Sequence, residues 1–281
     1  MRTTSMVSCL AIGLLGAWHA QAQTDPPAEE ASAPEAAPGE PAEPAAADPK
    51  AADAIAEAEA GGSPVEEPGK AYHFVGLRYR GVIIPKFMVN LFGDGGSSVY
   101  VHGFGPEFTV RKDAFEYVFS LWYAAYSMDP TPFKASSDPE VAWEIVESKL
   151  KVLYLTTDFN WSSELSPEFS INYGMGAGFG FVFGDLIREQ AHPAGSTDPY
   201  QYQRCTAPGV PDPTYCGTDN DHYDGYKEPS WANGGSKPII FPWLVVQTGV
   251  RYKPHRNFAL RLDGGFGTSG FFFGLAGNYG L

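Results

Sequence analysis

A period of two in the placement of large apolar residues is the feature that most constrains the fold. In 170-SINYGMGAGFGFVFG-184, every second residue from Ile171 to Phe183 is apolar or aromatic, and those between are mostly glycine or polar. Successive side chains of a β-strand point to opposite faces, so this period predicts a strand with one bulky face. It recurs in eight segments: 72–84, 99–111, 115–127, 149–161, 167–184, 241–253, 257–267 and 270–281.

The connections between these segments alternate between short and long. Short joins are expected at 112–113, 162–166 and 254–256, and the joins that alternate with them include the long stretches 85–98, 128–148 and 185–240. A fourth short join lies near 268–269. This alternation predicts an all-β fold, an eight-stranded antiparallel up-and-down transmembrane β-barrel, with short periplasmic turns, longer outer loops and both termini on the periplasmic side.

The two faces of the predicted strands indicate which side meets lipid. The bulky face is apolar, whereas the other carries small residues together with five bases and five acids. Eight strands leave room inside only for packed side chains, so the small and charged set is predicted to fill and plug the lumen as an ionic network. Its members are Arg78, Arg80, Glu107, Arg111, Glu116, Asp158, Glu168, Arg251, Arg261 and Asp263.

Aromatic residues near the predicted strand ends fit the two interfaces of a bilayer. The alternative is that the 14% of aromatic residues fill the core of a soluble protein. The candidates for the interfacial belts are Tyr79, Trp122, Tyr123, Tyr126, Trp161, Trp243, Tyr252 and Tyr279.

The final strand, 270-GFFFGLAGNYGL-281, and the strand plan before it resemble the small eight-stranded outer-membrane β-barrel proteins, such as the membrane domain of OmpA and the OmpX and OmpW types. The resemblance covers about residues 72–281. It implies embedding in outer-membrane lipid, and recognition of the last strand, here with Phe273 and Tyr279, by the outer-membrane assembly machinery.

The N-terminal part of the chain has a different composition. Residues 1–22 combine Arg2, a short apolar run and Ala20-Gln21-Ala22, which predicts a cleaved signal peptide. Residues 23–69 hold twelve acids and one Lys among Ala, Pro and Gly, which predicts a disordered acidic periplasmic linker. Residues 70–281 hold 17 bases and 21 acids and are assigned to the barrel.

The long outer loop 185–240 carries the two cysteines that remain after signal cleavage, Cys205 and Cys216. In an exported chain they predict one disulfide, with a metal pair as the alternative. Asp219, Asp221 and Asp224 are a weak candidate for a calcium site. Their spacing does not match that of a calcium-binding loop, and the alternative is an ordinary acidic surface loop. Five tyrosines of this loop suit either recognition of an extracellular ligand or protection against proteases; they are Tyr200, Tyr202, Tyr215, Tyr223 and Tyr226.

In a second outer loop, 138-DPEVAWEIVESKL-150 predicts a short helix capped by Asp138.

The sequence pattern bears on several possible functions. The glycines at 174–180 do not have the spacing of a nucleotide-binding loop, and no basic patch favours nucleic acid. No cofactor and no catalytic site are predicted. An enzyme that modifies lipid A would need a His with a Ser and an acid near the outer leaflet. His102 is the one histidine at a suitable position, and no Ser and acid can be assigned to it. A structural or surface-interaction barrel is therefore predicted, with a narrow channel or transporter for small or apolar solutes as the alternative.

Overall fold

The computed structural model describes residues 65–218 and 221–281. Eight long strands form the barrel: β1 (Ala71–Ile84), β3 (Val99–Lys112), β4 (Phe115–Ala135), β5 (Glu144–Glu164), β6 (Phe169–Phe183), β9 (Ile240–His255), β10 (Phe258–Gly267) and β11 (Gly270–Gly280). Shorter elements in the loops are α1 (Lys86–Val89), β2 (Gly93–Gly95), β7 (Leu186–His192), β8 (Gln203–Arg204) and two 3-10 turns, Pro199–Gln201 and Trp231–Asn233. No helix in the described ranges is long and apolar enough to cross a membrane.

The eight long strands close on themselves. Each pairs antiparallel with its neighbours in the order β1, β3, β4, β5, β6, β9, β10, β11, and β11 returns to β1. The last pairing runs from Phe74 with Gly280 to Ile83 with Phe271. Closure leaves no open edge among these eight strands. The predicted eight-stranded antiparallel barrel is confirmed.

The two ends of the barrel differ. Turns at 113–114, 165–168 and 256–257 lie at one end, named here the short-turn end, together with the start of β1 and the end of β11. The segments 85–98, 136–143 and 184–239 and the tight turn at 268–269 lie at the other, named the long-loop end. Asp113 has a φ of 53° in its two-residue connection, a conformation that Asp tolerates better than most residues.

The helix predicted over 138–150 is wrong. Residues from Glu144 onward belong to β5, which pairs with β4 up to Phe133 and on its other edge with β7. Asp138 and Pro139 favour the start of a helix locally. The backbone groups of Glu144–Ser148 instead find their hydrogen-bond partners in the strands on both edges of β5. β4 and β5 therefore extend beyond the barrel wall as a ribbon.

The predicted signal peptide 1–22 and residues 23–64 of the predicted linker lie outside the described residues.

The outer surface of the barrel is apolar. Alternate residues of each strand are exposed and large, among them Leu77, Phe119, Leu155, Met175, Val246, Leu262 and Leu275. The intervening residues point inward and include most of the buried charged side chains. A soluble barrel would have the opposite distribution. Each of the eight strands has at least ten residues, enough to cross the hydrocarbon of a bilayer. The wall is that of a transmembrane β-barrel.

Strand β6 explains the glycine pattern at 170–184. Its large residues are exposed, and Gly176 and Gly180 are buried on the inner face. A Cβ atom at Gly176 would overlap the Asp158 carboxylate, and one at Gly180 would overlap Val152 and crowd Tyr154. The glycines thus make room for side chains of the neighbouring strand β5.

Trp122 and Trp243 were predicted to lie in the interfacial belts, and that prediction is wrong. Both are 1% exposed and pack inside the barrel with Tyr154 and Phe272. Their positions along β4 and β9 have the inward parity of Glu116 and Arg251, which determines their side. Trp161, Tyr123 and Tyr279 are exposed on the outer surface.

Candidate functional site

The central layer of the barrel interior is a network of ion pairs. Arg78 Nε lies 2.7 Å from Glu107 Oε2, and its Nη1 lies 2.8 Å from Asp158 Oδ2. Arg261 Nη2 lies 2.9 Å from the same Glu107 oxygen. Each of these side chains comes from a different strand, so the network ties the wall together across the lumen. Buried charges in such an arrangement are partnered, which a closed interior requires.

Arg80 joins the charged layer to an aromatic layer nearer the long-loop end. Its Nη2 lies 3.3 Å from Asp158 Oδ2 and 3.4 Å from Asp263 Oδ2. Its guanidinium carbon also lies 4.6 Å from the ring centre of Phe272 and 5.1 Å from that of Trp243. Cations over aromatic faces are favourable, and more so when desolvated.

The aromatic layer itself is tightly packed. Trp122 stacks on Tyr154 with 4.2 Å between ring centres, and Trp243 meets both edge-on. Val82, Val101, Val152 and Val245 complete this buried cluster. The interior therefore contains an apolar layer that the prediction of a small and charged lumen missed.

At the short-turn end a third layer forms around Glu66, which precedes β1. Its carboxylate lies 2.5 Å from Arg111 Nε, 2.7 Å from Lys253 Nζ and 3.3 Å from Arg251 Nη1. Burial alone would raise the pKa of Glu66, but Arg251, Arg111 and Lys253 outweigh it and lower that pKa to about 2. The carboxylate is thus strongly held in its ionised form.

A cavity of about 320 Å³ adjoins this layer. Its lining includes the three bases, Glu66 and the turn between β5 and β6. Arg251 Nε also lies 3.4 Å from Glu116 Oε1, and Asn172 donates to the other Glu116 oxygen at 3.1 Å. These contacts link the cavity to the barrel interior.

Nine of the ten side chains predicted to form the lumen network are buried in the interior, and Glu168 is not. Glu168 is exposed because β6 begins at Phe169, which leaves Glu168 in the turn, where its carbonyl accepts from Lys253 N. Two charged residues that the prediction missed, Lys253 and Glu66, lie at the short-turn end instead. Lys253 has the inward parity of Arg251 and could have been found, whereas Glu66 lies outside any periodic segment.

Some buried polar atoms of the interior have no hydrogen-bond partner within the described protein atoms. They include Arg78 Nη2, Arg80 Nε, Arg261 Nε and Asp263 Oδ1. Arg78 Nε and Nη1 lie at ion-pair distance from their carboxylates without forming aligned hydrogen bonds. Polar sites of this kind are those that ordered water occupies in proteins.

The long-loop end carries a second, smaller set of ion pairs. Arg188 on β7 lies 2.6 Å from Glu144 on β5 and 3.3 Å from Glu228, and His222 Nδ1 lies 2.6 Å from Glu144. Arg204 pairs with Glu189 at 2.6 Å. The loop 184–239 is therefore fixed to the ribbon of β4 and β5 at several points.

The disulfide joins Cys205 to Cys216, with Cα atoms 5.7 Å apart and both residues buried. Asp221 and Asp224 of the calcium candidate are exposed, and Asp219 lies outside the described residues. Across residues 65–218 and 221–281 no group of three or more His, Cys, Asp or Glu side chains could hold a metal ion.

The tyrosines of the long loop mainly build it. Four of the five are half-buried: Tyr202 packs on Trp143 and Tyr215, Tyr223 donates to Gln190, and Tyr226 stacks on His222. Tyr200 is exposed, yet its hydroxyl accepts from Lys86 Nζ and donates to Gly96 O, each at 2.7 Å. It ties this loop to the one between β1 and β3.

His102 lies on the outer face of β3. It is exposed, and its Nδ1 is 2.8 Å from the hydroxyl of Tyr79 on the neighbouring strand. This contact belongs to the packing of the outer wall.

The chain has the architecture of a small eight-stranded transmembrane β-barrel. Among solved structures it is similar to Ail of Yersinia pestis, with 11% identity over 76% of this chain and 100% of Ail and a TM-score of 0.39. It is also similar to the Neisserial surface protein NspA, with 9% identity over 75% of this chain and 98% of NspA and a TM-score of 0.36. A second Ail structure, in complex with the heparin analogue sucrose octasulfate, gives 10% identity, 76% and 97% coverage and a TM-score of 0.35.

No protein-family model matches the sequence, and no curated protein matches it. Identities near one residue in ten transfer no ligand or partner from those proteins to this chain.

Proposed function

We propose that this protein is a non-enzymatic outer-membrane barrel that acts by recognition through its long-loop end, while its lumen stays closed to solutes. The observation that carries the proposal is the layered interior. Ion pairs around Arg78, the aromatic cluster around Trp122 and the Glu66 contacts follow one another along the barrel. An interior filled in this way leaves little room for a solute path along the barrel axis, so we expect the protein to act through its exposed surfaces.

The long-loop end supports a recognition role because its loops are held in a defined shape. The disulfide, the pairing of β7 with β5 and the ion pairs of Arg188 and Arg204 fix the part of this loop from Leu186 to Cys216. Trp231, Val210 and Tyr200 remain exposed on it. A rigid surface with exposed aromatic groups loses little conformational entropy on binding.

The proposal includes the orientation of the protein. The long-loop end faces the cell exterior, the short-turn end and the N-terminal tail face the periplasm, and the apolar wall contacts outer-membrane lipid. The last strand, β11, is the segment offered to the outer-membrane assembly machinery.

A narrow channel is the second candidate, and one observation favours it. The unpartnered polar atoms of Arg78, Arg80 and Asp263 provide sites for water inside the wall. A file of such waters would conduct small solutes only if it continued past Trp122 and Trp243.

Planar-bilayer conductance separates the two candidates. The refolded full chain is expected to give no steady channels above background. Steady openings would favour the channel. In that case the conductance of Trp243→Ala would test whether the path is narrowest at Trp243. A lipid A modification assay on membranes that carry the protein is expected to be negative.

Recognition is tested on intact cells that display the protein. An array of extracellular-matrix proteins and glycans should retain cells with the wild-type protein and not cells in which residues 194–218 are replaced by a short Gly-Ser linker. Equal retention of both would contradict recognition by this loop.

A further inference from the structure

The short-turn end has more buried positive charge than its strands can neutralise. Within the barrel wall of the described chain, six bases face four acids: Arg78, Arg80, Arg111, Arg251, Lys253 and Arg261 against Glu107, Glu116, Asp158 and Asp263. The acids other than Glu116 pair with the central bases Arg78, Arg80 and Arg261. Glu116 therefore remains as the one buried wall acid beside Arg111, Arg251 and Lys253.

The missing negative charge comes from outside the wall. Glu66 lies five residues before β1 and inserts its carboxylate between the three bases, at 2.5, 2.7 and 3.3 Å. The side chains of Arg111, Arg251 and Lys253 are 1%, 6% and 3% exposed, so the bases are buried and held in place by the wall. Exposed Glu164 approaches Arg111 only to 3.7 Å.

We propose that Arg111, Arg251 and Lys253 form a carboxylate-binding site at the short-turn end, which takes an acidic side chain of an extended peptide and which Glu66 occupies in cis. Buried cations left without an anion are costly, so the site has a strong need for a carboxylate. The adjoining cavity, lined by Leu165 and Phe169 in addition to the bases, provides apolar contact for the residue next to the acid, which is Val65 in the intact chain. The ligand class is therefore an apolar residue followed by an acid, as in Val65-Glu66.

Occupation in cis makes the site hard to detect in the intact protein. A group tethered by a few residues competes at an effective concentration of the order of millimolar. A free peptide must exceed this before it displaces Glu66. Removing the Glu66 carboxylate is expected to open the site while leaving the wall intact, because Glu66 is not part of any strand.

The test uses the refolded full chain and the blocked peptide Pro-Val-Glu-Glu-Pro, whose sequence is that of residues 64–68. Glu66→Ala is expected to bind the peptide at least about tenfold more tightly than the wild type, since the competing group is gone. Glu67→Ala is the matched control, because Glu67 pairs with Lys70 at the exposed surface. It should behave as the wild type.

Two further measurements make the result specific. The peptide Pro-Val-Gln-Glu-Pro should lose binding to Glu66→Ala, and the double variant Glu66→Ala, Lys253→Met should lose binding of the original peptide. A heat-dependent shift on a denaturing gel verifies that each variant is folded. Equal peptide affinity of Glu66→Ala and the wild type, or equal binding of the Gln peptide, would overturn the proposal. Neither outcome depends on the conductance or cell-binding tests.

Discussion

At the scale of single residues, the inner glycines of β6 leave space for side chains of β5: Gly176 for Asp158 and Gly180 for Tyr154. Gly176 leaves the space that Asp158 fills, and Asp158 in turn holds Arg78 and Arg80. The glycine period of 170–184 is therefore a packing requirement of the lumen. Outward-facing Gly277 has no such neighbour, since a Cβ there would meet only Leu260 at 3.7 Å.

This difference gives a matched pair of substitutions. Gly176→Ala is expected to lower the free energy of unfolding by about 1–3 kcal/mol, because the added methyl must displace the Asp158 carboxylate or Val245. Gly277→Ala should change it by less than about 0.5 kcal/mol. Urea titration of the refolded protein in lipid vesicles measures both. Equal effects would show that the inner face is not packed as described.

The central ion pairs predict a larger effect. Asp158→Asn removes the charge that Arg78 and Arg80 share, and it should cost about 3–5 kcal/mol because two buried guanidinium groups lose a partner. Lys149→Ala is the control, as its pair with Glu147 lies near the surface and is worth at most about 1 kcal/mol. The same urea titration applies, and a small loss for Asp158→Asn would contradict the role of this charge as the shared partner of Arg78 and Arg80.

Glu66 predicts a pH dependence. Its pKa of about 2 in the folded protein lies below the ordinary value of 4.5, so its contacts stabilise the fold fully above pH 4.5. That contribution is lost as pH falls from 4.5 toward 2. The groups that face it are Arg111 on β3 and Arg251 and Lys253 on β9, with Glu116 and Glu164 behind them.

The carbon-13 shift of the Glu66 carboxyl measures this directly. Its titration midpoint should lie near pH 2 and rise in Lys253→Met. A wild-type midpoint near 4.5 would mean that the carboxylate is in solvent.

At the scale of elements, sequence periodicity was sufficient for the eight barrel strands because each has one face in lipid and one face inside. The same parity places Trp122, Trp243 and Lys253 inside, although their residue types suggested other positions. The strand over Glu144–Ser148 could not be read locally, since it depends on pairing with β4 and β7. Glu66 could not be predicted either, because only the folded wall brings Arg111 and Arg251 together around it.

The disulfide predicts a local effect. Replacing Cys205 and Cys216 with Ala should leave the barrel folded, since neither residue belongs to a barrel strand. Cleavage of the loop by trypsin at half-exposed Arg204 should become about tenfold faster or more, because the closed loop no longer restricts opening. Limited proteolysis with the heat-shift assay as control measures this. Unfolding of the barrel in the variant would contradict the separation of loop and wall.

At the scale of the whole molecule, every role proposed for this chain depends on which side of the wall meets lipid. The apolar exterior is that of a barrel that spans a bilayer, and the proposed closed lumen adds that the layered interior fills the barrel axis. The recognition proposal and the carboxylate site both require this arrangement, since one uses the long-loop end and the other the short-turn end.

Tryptophan quenching by brominated lipids tests that arrangement most directly. Two variants of the refolded chain are compared, one with Trp161 and one with Trp243 as its single tryptophan, the others being replaced by Phe. Trp161 is exposed on the outer wall and should lose most of its fluorescence in vesicles of brominated lipid, whereas Trp243, inside the barrel, should keep it. Strong quenching of Trp243 together with an unaffected Trp161 would contradict the account.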